Sequence, residues 1–171
     1  SYEIEPTTTA KLVAACGVDL GIKTLATLST GETFPSPQPY RQSQTRLARL
    51  QKAASRKVKG SRNRHKANMK VAKQHAKTAK IRKDTLNKLT THLAKNHSQV
   101  VIEDLNVSGM LANHCLAKSI ADLGMYEFRR QLAYKCELYG SQLITVNRFF
   151  PSSRTCSCCG NVQDMPLKER V

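Results

Sequence analysis

The spacing of apolar positions changes several times along these 171 residues, and each change predicts a different element. Ala14 to Leu20 is an apolar run closed by Gly21, followed by Thr24-Leu-Ala-Thr-Leu28. A Ser-Thr-Gly-Glu turn returns the chain at Thr33-Phe34, so residues 14–34 predict a hairpin of short strands. Pro35, Pro37 and Pro39 then break regular structure. From Arg41 to about His97 the period becomes helical. Leu47, Leu50, Ala54 and Val58 mark one face, and Met69, Ala72, Ala76, Ala79, Leu86 and Leu93 recur at alternating three- and four-residue steps on the other. Gly60 separates the two patterns, which predicts an antiparallel helical hairpin with a thin Ala/Leu seam. Val100 to Ile102 reads as a buried strand. Ser119 to Gly140 reads as one helix, capped by Ser119, ended by Gly140, with Met125, Phe128, Leu132, Cys136 and Tyr139 on its inner face. Gln142 to Val146 is a further strand. Strand hairpin, helical insertion, strand, helix, strand is an α/β order, with helices covering a mixed sheet. The length suits one ordinary domain with a real core.

Charge narrows the partner. The net charge is +16, and 18 of the 28 basic residues fall in the 41–97 segment against one acid, Asp84. A charged helix is usually a solvated face whose opposite charges pair at i and i+4. Here the cations have almost nothing to pair with, so an external polyanion is the better account, and nucleic acid fits a basic stripe. The expected contacts are Lys23, Arg49, Lys52, Arg56, Lys57, Lys59, Arg62, Arg64, Lys66, Arg82, Lys83 and Arg154. A membrane is not the expected partner: no apolar run approaches the roughly 20 residues of a spanning helix, and the basic region lacks a bulky apolar face. The polar start is no signal peptide, and its lack of Met suggests an excised or processed piece. No pattern sets an oligomeric state.

Two acids change the picture again. Glu103 ends the apolar Val100–Ile102 run where a strand leaves its sheet, a costly place for a carboxylate that nothing positive meets. Asp19 sits in Cys16-Gly-Val-Asp-Leu-Gly-Ile-Lys23, flanked by Gly17 and Gly21, which allow close approach to the backbone. On neighbouring strands these acids would supply hard oxygen ligands for Mg²⁺ or Mn²⁺, half of a catalytic site for phosphodiester hydrolysis. Asp104 should face away from Glu103 and bond the turn at Asn106. A two-metal site needs a third carboxylate, and Asp104, Asp122, Glu127, Glu137, Asp164 and Glu169 all lack a suitable setting, so the chain alone is not expected to cleave. Of six cysteines, Cys16, Cys115 and Cys136 read as small hydrophobes, whereas Thr155-Cys-Ser-Cys-Cys-Gly-Asn161 suggests metal and a reducing, cytoplasmic setting. Cys156 and Cys159 are half of a four-ligand zinc site, with Cys158 in a spacer position.

Four ordered segments, Gly-Val-Asp19-Leu-Gly-Ile-Lys-Thr, Val-Ile-Glu103-Asp-Leu-Asn-Val, Glu127-Phe-Arg-Arg-Gln-Leu and Arg148-Phe-Phe-Pro-Ser-Ser-Arg-Thr-Cys156-Ser-Cys-Cys159-Gly, resemble the TnpB family of insertion-sequence-encoded RNA-guided DNA endonucleases, related to type V CRISPR effectors. The resemblance implies a RuvC-like, RNase H-like nuclease domain over residues 14–151, with 41–97 as an inserted basic hairpin near the guide RNA–DNA duplex. Residues 1–13 would end a preceding domain or linker, with a possible last strand at Tyr2 to Glu5, and 152–171 would be the first half of a zinc ribbon. Asp19 and Glu103 would be the first and second catalytic metal ligands, guide RNA and target DNA the partners, and the prokaryotic cytoplasm and nucleoid the setting. The family continues into a second Cys-x-x-Cys and a third acid, which this sequence does not reach. Its alternative is therefore a non-catalytic DNA- or RNA-binding relic or repressor. Gly17 to Thr24 also resembles the first phosphate loop of actin-like ATPases, but those need two lobes and no cationic hairpin.

Overall fold

β1 (Val13–Leu20) is the middle strand of a five-stranded mixed sheet of order β3-β2-β1-β4-β5 in this computed structural model. The structure describes residue 11, residues 13–148 and residues 155, 159 and 161. β2 (Thr24–Leu28) and β3 (Thr33–Pro35) run antiparallel to their neighbours, joined by the tight turns that Gly21 and Gly31 signal. Gly21 serves that geometry directly, because a Cβ there would stand 2.9 Å from the Thr24 carbonyl oxygen. β4 (His97–Glu103) lies parallel to β1, and β5 (Gln142–Val146) parallel to β4. Both parallel steps need crossovers, which the helices provide.

The first crossover is the predicted hairpin. α1 (Pro39–Ser55) packs antiparallel on the first part of α2 (Arg62–Asn96), with Gly60 at φ 84° in the connection. Pro39 does not interrupt structure; it occupies the first turn of α1, where its missing N–H costs nothing. On α1 the seam follows the sequence pattern as far as Ala54, with Leu47 and Ala54 buried, but Val58 falls beyond the helix end and is 77% exposed. On α2 it does not. Met69, Ala72, Ala76 and Ala79 are exposed, and the buried positions are Gln74 and Thr78. The polar seam is satisfied locally: the Thr78 hydroxyl donates to the Gln74 carbonyl and lies 3.1 Å from the Ser43 hydroxyl. Alanine suits an exposed helix position as well as a packed one, so its period misleads here.

Beyond the hairpin, α2 continues over the sheet. Leu86, Leu89 and Leu93 pack with Phe128 and Leu132 of α5 (Met125–Tyr139) onto Cys16, Val18, Val100 and Ile102. Each such fully buried large side chain contributes about 1.5–3 kcal/mol. The expected Ser119–Gly140 helix is two helices, α4 (Ala117–Leu123) and α5, separated by Gly124 at φ 71°. Ser119 lies inside α4 and caps nothing, while Gly140 ends α5 in the left-handed conformation as predicted. The connection after β4 holds a short helix, α3 (Val107–Ala112), capped by the Asn106 side chain, which accepts from the Gly109 N–H. Among the described residues no helix is long and apolar enough to cross a membrane.

Candidate functional site

Asp19 and Glu103 stand side by side. Val18 pairs with Ile102 across the parallel β1–β4 ladder, and the acids are the next residue on each strand. Alternation buries Val18 and Ile102 under α2 and α5, so Asp19 and Glu103 both project from the other face. They share the wall of an open depression of about 390 Å³, together with Gly17, Ser29 and Val101. Both are exposed.

Their lack of ion-pair partners among the described residues sets them apart. Glu32, Asp84, Asp104, Asp122 and Glu127 each reach a basic side chain. Among the described residues Asp19, Glu103 and Glu137 form no ion pair, and only the first two are neighbours. Two carboxylates at adjacent strand positions, roughly 5 Å apart at the backbone, repel in a chain with cations to spare. Hard oxygen donors in this arrangement suit Mg²⁺, which is commonly held by one or two carboxylates with water and phosphate oxygens. No group of three or more His, Cys, Asp or Glu side chains able to hold a metal occurs among the described residues.

Asp104 behaves differently from expectation. It is Asn106 that caps the turn; the Asp104 carboxylate accepts from Arg148 at 2.6 Å and from Arg129 at 2.8 Å. Those bonds, from Arg148 first and Arg129 second, hold its carboxyl below the usual aspartate range. Asp104 thereby ties the end of β4 to α5 and to the exit of β5, around a second cavity of about 390 Å³ that Glu103 and Tyr126 also line.

Most of the expected cations are solvent-facing. Lys23, Arg49, Lys52, Arg56, Lys57, Lys59, Arg62, Lys66 and Lys83 are exposed, and Arg64 is half-buried, donating to the Lys57 carbonyl. Arg82 does not belong with them. Its guanidinium donates to the main-chain oxygen and the carboxylate of Asp122, and Asp122 is 5% exposed at the side chain. The same carboxylate accepts from the Tyr40 and Arg41 N–H groups, capping α1, for which Gln38 supplies no side-chain cap. Arg154, Cys156 and Cys158 lie outside the described residues, as do Tyr2 to Glu5; Cys159 is an exposed free thiol.

Sequence reasoning missed a buried ammonium. Lys135 donates to Asn87, Thr90 and Thr91 across the α2–α5 interface, and burial lowers its pKa. Helical spacing does place it beside Leu132 and Cys136 on the inner face, but a lysine there reads as solvated until its partners are seen.

A family model named OrfB_IS605 and described as "Probable transposase" matches residues 1–114, and a Cas12f1-like TNB domain model matches residues 126–171. A Streptomyces pristinaespiralis protein provisionally named RNA-guided DNA endonuclease is 48% identical over 92% of this chain and 39% of its own length. The Escherichia coli K12 protein InsQ, named likewise, is 42% identical over 85% of this chain and 40% of its own length.

The chain belongs to the TnpB family. It spans about two fifths of the length of these TnpB relatives. Its fold resembles that in a Cas12f1–sgRNA–target DNA complex, with a TM-score of 0.56 and 15% identity over 86% of this chain and 39% of that one.

Proposed function

We propose that this chain is the RuvC-like, RNase H-like nucleic-acid-binding core of a transposon-associated, RNA-guided DNA endonuclease. The unpaired Asp19–Glu103 couple at adjacent parallel strand ends carries the reading. Names given to the relatives, and the nucleic acids in the Cas12f1 complex, support guide RNA and target DNA as its partners.

In this reading Asp19 and Glu103 would hold Mg²⁺ or Mn²⁺, and a bound ion would supply activation of water and stabilisation of the leaving oxygen in phosphodiester hydrolysis. The parallel ladder fixes both carboxylates on one face, so a scissile phosphate approaching the depression meets them together. The exposed cations of α1 and α2 hold the duplex by its phosphates without reading bases. Cys156 and Cys159 would supply two of the four ligands of a structural zinc site, which only a complete ribbon would close.

Titration with Mn²⁺, read by paramagnetic broadening of nearby backbone resonances, tests the couple in this chain. Broadening should centre on Asp19 and Glu103 and vanish in Asp19→Asn. Broadening spread over the surface rejects the metal site. Within a protein of the relatives' full length, loaded with guide RNA, Asp19→Asn or Glu103→Gln should abolish Mg²⁺-dependent cleavage and leave DNA binding intact. A second reading, binding without cleavage, is favoured by the lack of a third clustered acid among the described residues; guide-dependent binding with no cleavage in that longer protein would establish it.

A further inference from the structure

α5 presents a second surface that the hairpin and the acid couple do not use. Tyr126, Arg130 and Tyr134 recur at i, i+4 and i+8, on the face opposite Phe128, Leu132 and Cys136. Tyr126 is 74% exposed and Tyr134 43%, unusual for large rings on a helix whose other face already supplies core. Arg130 does not roam between them. Its guanidinium makes a two-point ion pair with Glu127, each bond 2.8 Å, and its Cζ sits 5.8 Å from the centre of the Tyr134 ring. The pair with Glu127 neutralises Arg130, which makes it a flat, fixed plane more than a phosphate hook. It also holds the Glu127 carboxyl down to about 2.

Three flat groups at helical spacing put successive surfaces about 6 Å apart along the axis. That is chemistry for nucleobases: every base has a π-face, and aromatic rings and guanidinium planes both stack on it without regard to sequence. Duplex DNA hides those faces, so the occupant must be single-stranded. The row leads towards Glu103, the member of the couple on β4, because Tyr126 lines the same cavity as Glu103, Arg129 and Arg148. At its other end Tyr134 borders a shallow trough of about 490 Å³ with Ala133 and Leu143.

We propose that Tyr126, Arg130 and Tyr134 form a stacking track for the bases of a single DNA strand, leading that strand to the rim of the acid couple. The direction of travel rests on the nuclease reading; the binding itself does not.

The test is equilibrium binding of an oligo-dT strand to the whole chain, in EDTA, read by fluorescence anisotropy. Tyr126→Ala and Tyr134→Ala should each weaken binding by about 5- to 150-fold, the range that follows from losing one stacked base. Tyr→Phe at either position should stay within about two-fold, since the ring and not the hydroxyl stacks. An abasic strand of equal charge should bind weakly to the parent chain and show no difference between parent and variants. Both rings are exposed, so the variants keep the parent's thermal unfolding. Alanine variants that bind oligo-dT like the parent, or that lose abasic and oligo-dT binding alike, overturn the track. Because no metal is present, failure here with acid-dependent cleavage found in the full-length, guide-loaded protein rejects the track alone, and the opposite pair of results rejects the nuclease reading alone.

Discussion

Replacing Asp122 with Ala is the most demanding test of how the basic hairpin is mounted on the domain. The carboxylate receives the Tyr40 N–H at 3.0 Å, the Arg41 N–H at 3.2 Å and the Arg82 guanidinium at 3.0 Å, with 5% of the Asp122 side chain exposed. Truncation removes a helix cap, about 1 kcal/mol, and a charge-assisted bond, about 1.5–3 kcal/mol. It also strands Arg82, but that side chain is 29% exposed and keeps its bond to the Asp122 main-chain oxygen, which softens the loss. A total of about 3 kcal/mol follows, short of the upper values for breaking a fully buried pair. In urea, with a slope near 2 kcal/mol per molar, the midpoint should fall by about 1.5 M at unchanged slope. Asp122→Asn keeps an acceptor for α1 and should cost about half as much. The cycle with Arg82→Ala should show a coupling above about 1 kcal/mol, and hydrogen exchange should rise first at the amides of Tyr40 and Arg41. An Asp122→Ala midpoint within about 0.3 M of the parent, or strict additivity with Arg82→Ala, would refute this account.

Neutralising Arg56, Lys57, Lys59 and Arg62 should weaken duplex binding and reduce the log–log salt slope by about 0.9 for each phosphate no longer neutralised; an unchanged slope means that the hairpin tip faces away from DNA. Gly124→Ala should destabilise by roughly 1–3 kcal/mol, because a Cβ at φ 71° would also meet Arg82 Cδ at 2.9 Å, whereas Gly140→Ala has only the backbone cost, about 1 kcal/mol, and equal losses would show that the contact is irrelevant. Glu127 is depressed to about 2 by Arg130 and Gln131, so its stabilising effect is complete above pH 4.5 and is lost as pH falls towards 2; Glu127→Gln should flatten acid unfolding in that window, and an unaltered pH profile would refute the pairing. Lys135→Met should leave Thr90 and Gln131 bonded to each other while deleting a desolvated charge, so thermal stability should hold or rise; a large loss would show that the ammonium's bonds outweigh its burial.

Much of the fold was legible because strands here end in chemistry. Val100 to Ile102 is apolar and Glu103 is not, and no packing argument places an acid there, so both the strand and the candidate site announced themselves. The parallel register that sets Glu103 beside Asp19 was not legible, since it depends on the crossover through α2. Gly124 was absorbed into an otherwise continuous helical period, and its left-handed conformation shows only where Arg82 and Leu86 press against it. The α2 seam was misread because alanines mark helix propensity as readily as contact. Asp122 had no local signal at all: its partners Tyr40, Arg41 and Arg82 belong to other elements, and a capping carboxylate that acts through space leaves no spacing to find.

The order of assembly carries a consequence of its own. β1 meets β4 only after the chain has travelled out along α1 and back along α2, a helix about 52 Å long at 1.5 Å per residue. The acids are contributed from the two ends of that excursion, so neither has its neighbour until the long-range closure is complete. A nascent or partly unfolded chain thus has its cationic arm before it has its paired carboxylates. On the proposed reading it would meet a polyanion before it could gather a metal ion, and damage to the hairpin should be felt as slow maturation of the acid couple, well before any loss in the finished protein.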